Sequence, residues 1–273
     1  MTLVARSSAA VHAPTAVLPR LLAGLAGGLL AALLVLPIVA LVIRVPVVKL
    51  LRRLGEPMVL RALLLSAETS LVATALVVVL GVPVAYLLAT REFPGKHMVE
   101  VLADLPMVLP PTVAGLALLL AFGRAGLAGR ALSVFGVSLP FTTAAVVVAQ
   151  VFMAAPFFLG PVRAGFSSVA PRLREVATSL GGSEFYVFRH VILPLSGRAL
   201  LAGTAMACAR ALGEFGATIT FAGNLPGVTQ TMPLAVYLEM QGDLEAAVAL
   251  SVLLLGLSFG LLLALRAGRR GLR

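Results

Sequence analysis

LLLSAETSLVATALVVVLGVPVAYLLA, residues 63–89, holds a single charged side chain, Glu68, near its start. A helix needs about 20 apolar residues to cross the roughly 30 Å hydrocarbon core of a bilayer. This stretch meets that length and reads as a membrane span. The rest of the chain repeats the pattern. Upstream, Leu21–Ile43 is an uncharged apolar run. Downstream come about Val108–Phe122, short and opened by Pro110-Pro111, then about Leu139–Val162, Ala199–Ala222 and Ala246–Leu265. Six spans are predicted, and the fold class is an all-α integral membrane protein.

Composition agrees. Of 273 residues, 60% are hydrophobic and 12% charged, and the mean hydropathy is +1.07. Soluble domains carry about 25% charged residues, so this chain lacks the polar side chains to cover a water-facing surface. The net charge of +10 does not point to nucleic acid. The basic residues sit in short segments between apolar runs, where topology and anionic headgroups account for them. There is no zinc-ligand spacing and no basic patch interleaved with aromatics. Cys208 is the only cysteine, which excludes an intrachain disulfide or a cysteine metal cluster. Leu21–Ile43 follows Arg6 and Arg20 but is too long for a signal h-region and lacks a clean cleavage site, so it reads as a retained span.

Orientation follows the positive-inside rule. With the N-terminus inside, thirteen of the 21 Lys and Arg fall inside, seven outside, and Arg210 within a span. The inside set includes Arg91, Lys96, Arg163, Arg172, Arg174, Arg189, Arg198, Arg266, Arg269, Arg270 and Arg273. This favours cytoplasmic N- and C-termini in the inner membrane. The outer cluster from Arg44 to Arg61 works against it. The acidic residues Glu239, Asp243 and Glu245 in the loop before the last span lend weak support. The expected organisation is an N-terminal segment with the first span (1–62), a five-span core (63–265) containing a long cytoplasmic loop (163–198), and a basic tail (266–273).

That loop is too organised for a tether. Pro171 can open a helix, because its missing N–H is not needed in the first turn. Val169, Leu173, Val176 and Leu180 follow at helical spacing. Gly181-Gly182 stops the helix. Ser183 can cap a second helix, to which Phe185, Tyr186, Phe188 and Val191 give an apolar side, and Pro194 ends it. Two short helices meeting at a glycine elbow are expected. On physical grounds their apolar faces lie either on the membrane surface or the protein's own underside, or against a partner.

Glu175-Val176-Ala177, three residues, Gly181, nine residues, and Val191-Ile192-Leu193-Pro194 resembles the EAA loop of ABC importer permeases, whose pattern is Glu-Ala-Ala, three residues, Gly, nine residues, Ile-x-Leu-Pro. Val176 and Val191 depart from it but keep apolar character, and the spacing is intact. The resemblance implies a type I importer permease fold. It also implies a coupling helix docked in a cleft of an ATPase subunit, with Arg174, Glu175, Ala177, Gly181, Gly182, Leu193 and Pro194 as contact and elbow positions. Closure of two ATPase subunits around nucleotide would then swing the spans. The chain has no phosphate-binding loop; Pro94-Gly95-Lys96-His97 lacks the first glycine and the hydroxyl residue. ATP and Mg are therefore expected on a separate chain, with no cofactor in this one.

Two further stretches narrow the resemblance. Leu105–Gly115 (LPMVLPPTVAG) resembles a span start in oxyanion permeases. Arg210–Asn224 (RALGEFGATITFAGN) and Thr229–Tyr237 (TQTMPLAVY) resemble the molybdate and tungstate branch. The sulfate branch shares the Arg-Ala-Leu-Gly-Glu-Phe-Gly core. The resemblance implies import of molybdate or tungstate, with sulfate or thiosulfate as the nearest alternative and an ATP-independent anion transporter as one of another class. Implied partners are a second permease copy, two ATPase subunits, an extracytoplasmic oxyanion-binding protein and membrane lipid.

The same stretches can be read without the family. Arg210 and Glu214, four apart on one helix face, can pair. Charges at membrane depth face a bundle interior or a wet cavity. The pair is either a neutralised packing element or a border of the translocation path. Pro110-Pro111-Thr112 is either a span start or kink, or an anion-facing helix N-terminus. Pro111, Thr112, Arg210, Glu214, Thr218 and Asn224 are the candidate path residues, with Gly213, Gly216 and Thr220 beside them.

Overall fold

The computed structural model describes residues 17–267. The expectations placed on Arg6, Arg269, Arg270 and Arg273, and on the tail beyond residue 267, lie outside the described residues. Every described element is a helix or a turn. The chain divides into two compact units at Pro46/Val47. Among its described residues the first holds one helix, α1 (Val17–Ile43), apolar beyond Arg20 and with Pro37 inside it.

The second unit opens with α2 (Val47–Leu54) and α3 (Pro57–Thr90). α4 (Lys96–Val108) and α5 (Pro111–Phe122) follow, then a short α6 (Gly129–Val134) and α7 (Thr143–Ser167). α8 (Pro171–Ser179) and α9 (Glu184–Val187) form the elbow, and a wide π-turn (Phe188–Ile192) leads into α10 (Leu193–Leu195). α11 (Gly197–Leu212), α12 (Gly216–Ala222), α13 (Met232–Glu239) and α14 (Leu244–Ala267) complete it. Four helices, α1, α3, α7 and α14, are long and apolar enough to cross a membrane; two bent pairs, α4–α5 and α9–α11, bring the number to six.

α7 is the centre of the unit and packs against α3 and α11 along their lengths. Thr142 caps its start by accepting the Ala145 N–H. The face of α3 turned inward is small: Ala62, Ser66, Ser70, Ala73, Thr74, Gly81 and Ala85 are all buried. Apolar burial gives helices little incentive to associate in lipid, so close backbone approach and dispersion must hold them together. At Gly81 a Cβ would lie 2.7 Å from Phe158 Cδ1, so the ring of α7 seats directly on the α3 backbone.

Two of the expected spans are broken. The third was expected to begin at the proline pair. Instead Pro110-Pro111 sits at the apex of a helical hairpin, with α4 and α5 bent by 120°. Leu109 and Pro110 are both extended, as residues preceding proline prefer. α5 is only about 18 Å long and cannot span a bilayer alone. The fifth span was expected to run unbroken to Ala222. It stops at Leu212 and restarts at Gly216. Phe215 takes φ −130, ψ −58, outside helical geometry.

Two members of the basic cluster that opposes the charge rule have acidic partners. Arg53 pairs with Asp243 at 3.0 Å and with Glu56, and Lys49 pairs with Glu245, fastening α2 to the start of α14. Asp243 also accepts the Ala246 N–H at 3.0 Å. That bond, followed by Arg53, holds its carboxyl below the usual range. A depressed carboxylate contributes stability above its ordinary pKa of about 4 and loses it as pH falls through the lowered value. Hydrogen-exchange protection across Val47–Leu54 is therefore expected to stay constant from neutral pH down to the ordinary carboxylate range and to fall only below it. Asp243→Asn is expected to lower that protection already at pH 7.

Candidate functional site

The elbow is built as the sequence pattern demands. Pro171 opens α8, which ends in a complete Schellman closure. Gly181 sits at φ +87, its N–H donates to the Thr178 carbonyl at 2.9 Å, and the Gly182 N–H donates to the Ala177 carbonyl at 3.0 Å. Gly182 must also lack a side chain, since a Cβ there would lie 2.8 Å from the Ala177 oxygen. Ser183 then caps α9 by accepting the Tyr186 N–H. The spacing from Ala177 to Gly181-Gly182 is thus the spacing of one hydrogen-bonded helix end.

The second half of the elbow differs from expectation in two ways. Pro194 does not end the helix. The Leu193 N–H reaches back five residues to Phe188, and this wide turn makes room for the proline ring. The Ser196 N–H still reaches Ile192, so the helix breaks at Ser196 instead. The buried residues are Val187 and Ile192, with Phe188 and Val191 partly covered, whereas Phe185 and Tyr186 are exposed. Phe188 is the anchor: its ring meets Tyr86 at 4.8 Å and Phe166 at 6.2 Å. Arg91 pairs with Glu184 and Arg163 with Glu100 at the same end.

What α8 and α9 leave uncovered is apolar. Val169 is buried, but Leu173, Val176, Leu180, Phe185 and Tyr186 are all exposed, Leu180 at 84%. Glu175 is exposed among them, and Arg174 donates to the Val169 carbonyl at 3.2 Å. Of the coverings left open by the sequence, the protein's own underside is excluded for these side chains, which leaves the membrane surface or a partner.

The second candidate region lies about 20 Å along α11 from its start. Arg210, in the last turn of α11, forms an ion pair with Glu214. The pair forms across the break rather than along one helix, because α11 has already ended at Leu212. Glu214 is fully buried, whereas the Arg210 side chain retains 22% exposure. The second Glu214 oxygen, Oε1, accepts the Ala217 N–H at 2.8 Å and so closes the start of α12. Truncating one partner of such a pair strands the other, at about 3–5 kcal/mol.

The structure brings Pro111 and Thr112 to the same place. A Cβ on Gly216 would lie 2.6 Å from Pro111 Cβ and 3.3 Å from the Thr112 amide nitrogen, so the start of α5 abuts the break. Thr112 is exposed there. Thr218 is buried on α12 and its Oγ1 has no protein partner. Asn224 lies apart from the pair, past the far end of α12, where its Nδ2 donates to the Leu234 carbonyl at 3.4 Å. The Met232 N–H donates to Ser66 Oγ at 2.7 Å, which ties that return segment to α3.

Sequence reasoning missed a groove of roughly 480 Å³ between α11 and α14. Arg198, Ala202, Ala205, Met206 and Ala209 line it from α11, and Leu262 and Leu265 from α14. Its signal was available in the small residues Ala202, Ala205 and Ala209 at helical spacing, but only the tertiary placement of α14 makes them a wall. Among the described residues no group of three His, Cys, Asp or Glu is placed to hold a metal ion.

Comparison with known proteins adds to this geometry. The sequence profile of the family described as "Binding-protein-dependent transport system inner membrane component" matches residues 77–270. The molybdenum transport system permease protein ModB of Mycobacterium tuberculosis is 44% identical over 219 residues, covering 80% of this chain and 83% of that protein. The sulfate transport system permease protein CysT of Salmonella typhimurium is 34% identical over 221 residues, covering 79% and 80%. In fold, the chain is similar to the bacterial alginate ABC transporter crystallised with an alginate-bound periplasmic protein. The TM-score is 0.76 at 16% identity, over 93% of this chain and 95% of that one. The architecture is the type I ABC importer permease fold.

Proposed function

Because the chain belongs to the family of binding-protein-dependent transport system inner membrane components, we propose that it is the permease of an ATP-driven importer for molybdate, with tungstate as an equivalent cargo. The observation that carries the transporter reading is the elbow. A helix end locked by Gly181 presents an uncovered apolar face, Leu173, Val176, Leu180, Phe185 and Tyr186, on a membrane protein with no phosphate-binding loop of its own. Such a face needs a partner, and an ATPase subunit supplies both the cover and the missing nucleotide site. Arg174, Glu175, Ala177, Gly181, Gly182, Leu193 and Pro194 couple the two. Phe188, anchored between α3 and α7, passes the movement of α8 and α9 to the spans.

Molybdate is favoured over sulfate by the higher identity to a molybdenum permease, 44% against 34% over stretches of similar length. One chain makes half of a pathway, and a symmetric pair with a second copy closes it. ATP and Mg belong to two partner ATPase subunits, and tight anion binding belongs to an extracytoplasmic protein. The termini lie in the cytoplasm, which puts the elbow on the ATPase side. Pro111, Thr112, Arg210, Glu214 and Thr218 border the route of the anion. Asn224 serves the fold of the return segment more than the route.

The test is uptake into vesicles holding this chain, its ATPase and its binding protein. We expect molybdate uptake that needs ATP and is competed by tungstate but not by sulfate. Competition by sulfate alone would move the cargo to sulfate or thiosulfate. Uptake without ATP or partners would overturn the importer reading.

A further inference from the structure

We propose that Glu214 is a built-in counter-anion, whose carboxylate holds on Arg210 the place that the transported oxyanion takes in passing. The inference rests on the oxyanion reading above and assigns a specific role at that site. It starts from an asymmetry in the pair. Glu214 has no exposed surface, while Arg210 keeps 22%. The Arg210 side chain therefore keeps accessible surface that Glu214 does not cover. The neighbouring positions Met206 and Ala209 on α11, and Gly213 just past its end, are exposed, and two of the three are small. The groove lined by Ala202, Ala205, Met206 and Ala209 ends one residue short of Arg210.

The two carboxylate oxygens have different duties. Oε1 accepts the Ala217 N–H at 2.8 Å, and Oε2 faces Arg210. When Oε2 is released the carboxylate keeps only its Oε1 bond at the start of α12, because Oε2 has no other protein partner, and this drives it back to the arginine. An arriving dianion can take the planar donor fork of the arginine, and Glu214 can retake it when the anion leaves. The break at Gly213–Phe215 places Glu214 outside both helices, so this exchange disturbs no helical hydrogen-bond ladder. A guanidinium without a competitor would retain a tetrahedral dianion, whereas a permease must release it. Glu214 sets the binding weak enough for passage by competing for the same donors.

The experiment measures equilibrium molybdate binding to the permease–ATPase complex in nanodiscs, without binding protein, for wild type, Glu214→Gln and the double variant Arg210→Gln/Glu214→Gln. Gln keeps an oxygen for the Ala217 N–H, so the start of α12 survives. Glu214→Gln is expected to bind molybdate roughly tenfold or more tightly than wild type, the equivalent of one charge-assisted hydrogen bond, and to import it more slowly. The double variant is expected to lose that gain. Equal or weaker binding by Glu214→Gln overturns the proposal while wild-type uptake leaves the oxyanion reading standing. A wild-type complex that imports no molybdate overturns both. Should Glu214→Gln fail to assemble, a membrane-permeant carbodiimide applied to the wild-type complex decides. Labelling of Glu214 is expected to rise severalfold during molybdate turnover, and unchanged or reduced labelling overturns the proposal.

Discussion

Gly181→Val is expected to abolish ATP-coupled uptake while leaving the chain inserted in the membrane. At Gly181 a Cβ would meet nothing within 4 Å, so space is not the obstacle. The obstacle is φ +87. An L-residue in the left-handed region costs about 1–2 kcal/mol, and a β-branched one more. That is a factor of about ten or more in the population of the native elbow. Both hydrogen bonds of the Schellman closure depend on this one torsion, so its loss redirects α9 and the face that α8 presents. The measurement is substrate-stimulated ATPase activity and uptake in the reconstituted importer, with membrane insertion as the control. Gly181→Asn discriminates between torsion and bulk. Asparagine tolerates the left-handed region, and this variant is expected to keep most of the activity. Normal coupling in Gly181→Val would remove the coupling role from the elbow.

Gly115→Leu is expected to be strongly destabilising. A Cβ at Gly115 would lie 2.7 Å from Thr220 Cβ and 2.8 Å from the Ala217 carbonyl oxygen. The second contact is backbone, which cannot rotate away. Overpacking of this kind typically costs about 1–3 kcal/mol, occasionally more. Here it would also separate α5 from α12, the two elements that meet beside the Arg210–Glu214 pair. We expect the apparent melting temperature of the purified complex to fall by about 5 °C or more, and uptake to be lost with it. Gly160→Ala is the matched control. Nothing lies within 4 Å of a Cβ at Gly160 in α7, and alanine is the better helix former, so stability is expected to be unchanged or slightly raised.

The sequence by itself determined several features of this protein. The apolar runs require membrane spans, because a length of uncharged chain near 20 residues has no other stable environment. The elbow was also legible. Pro171, Gly181-Gly182 and Ser183 each act through local backbone geometry, and local geometry is what a sequence encodes most directly. The ion pair between Arg210 and Glu214 followed from cost: two opposite charges four residues apart at membrane depth have to neutralise each other.

Tertiary structure alone decided what depends on contacts distant in sequence. Periodicity over 199–222 cannot reveal that α11 stops at Leu212, since the start of α5 abuts the break through the close approach of Pro111 to Gly216. The proline pair was visible, but its place at the apex of a hairpin depends on α4, whose mixed composition hid it from a search for apolar runs. Pro194 reads as a stop in the sequence because proline removes one helical bond. The wide turn from Phe188 to Leu193 absorbs that loss, and it is anchored by Tyr86 and Phe166 from two other helices. The same holds for the exposed apolar face of the elbow. The sequence marks Phe185, Tyr186, Phe188 and Val191 alike as apolar, and only packing against α3 and α7 separates the residues that are covered from those left free for a partner.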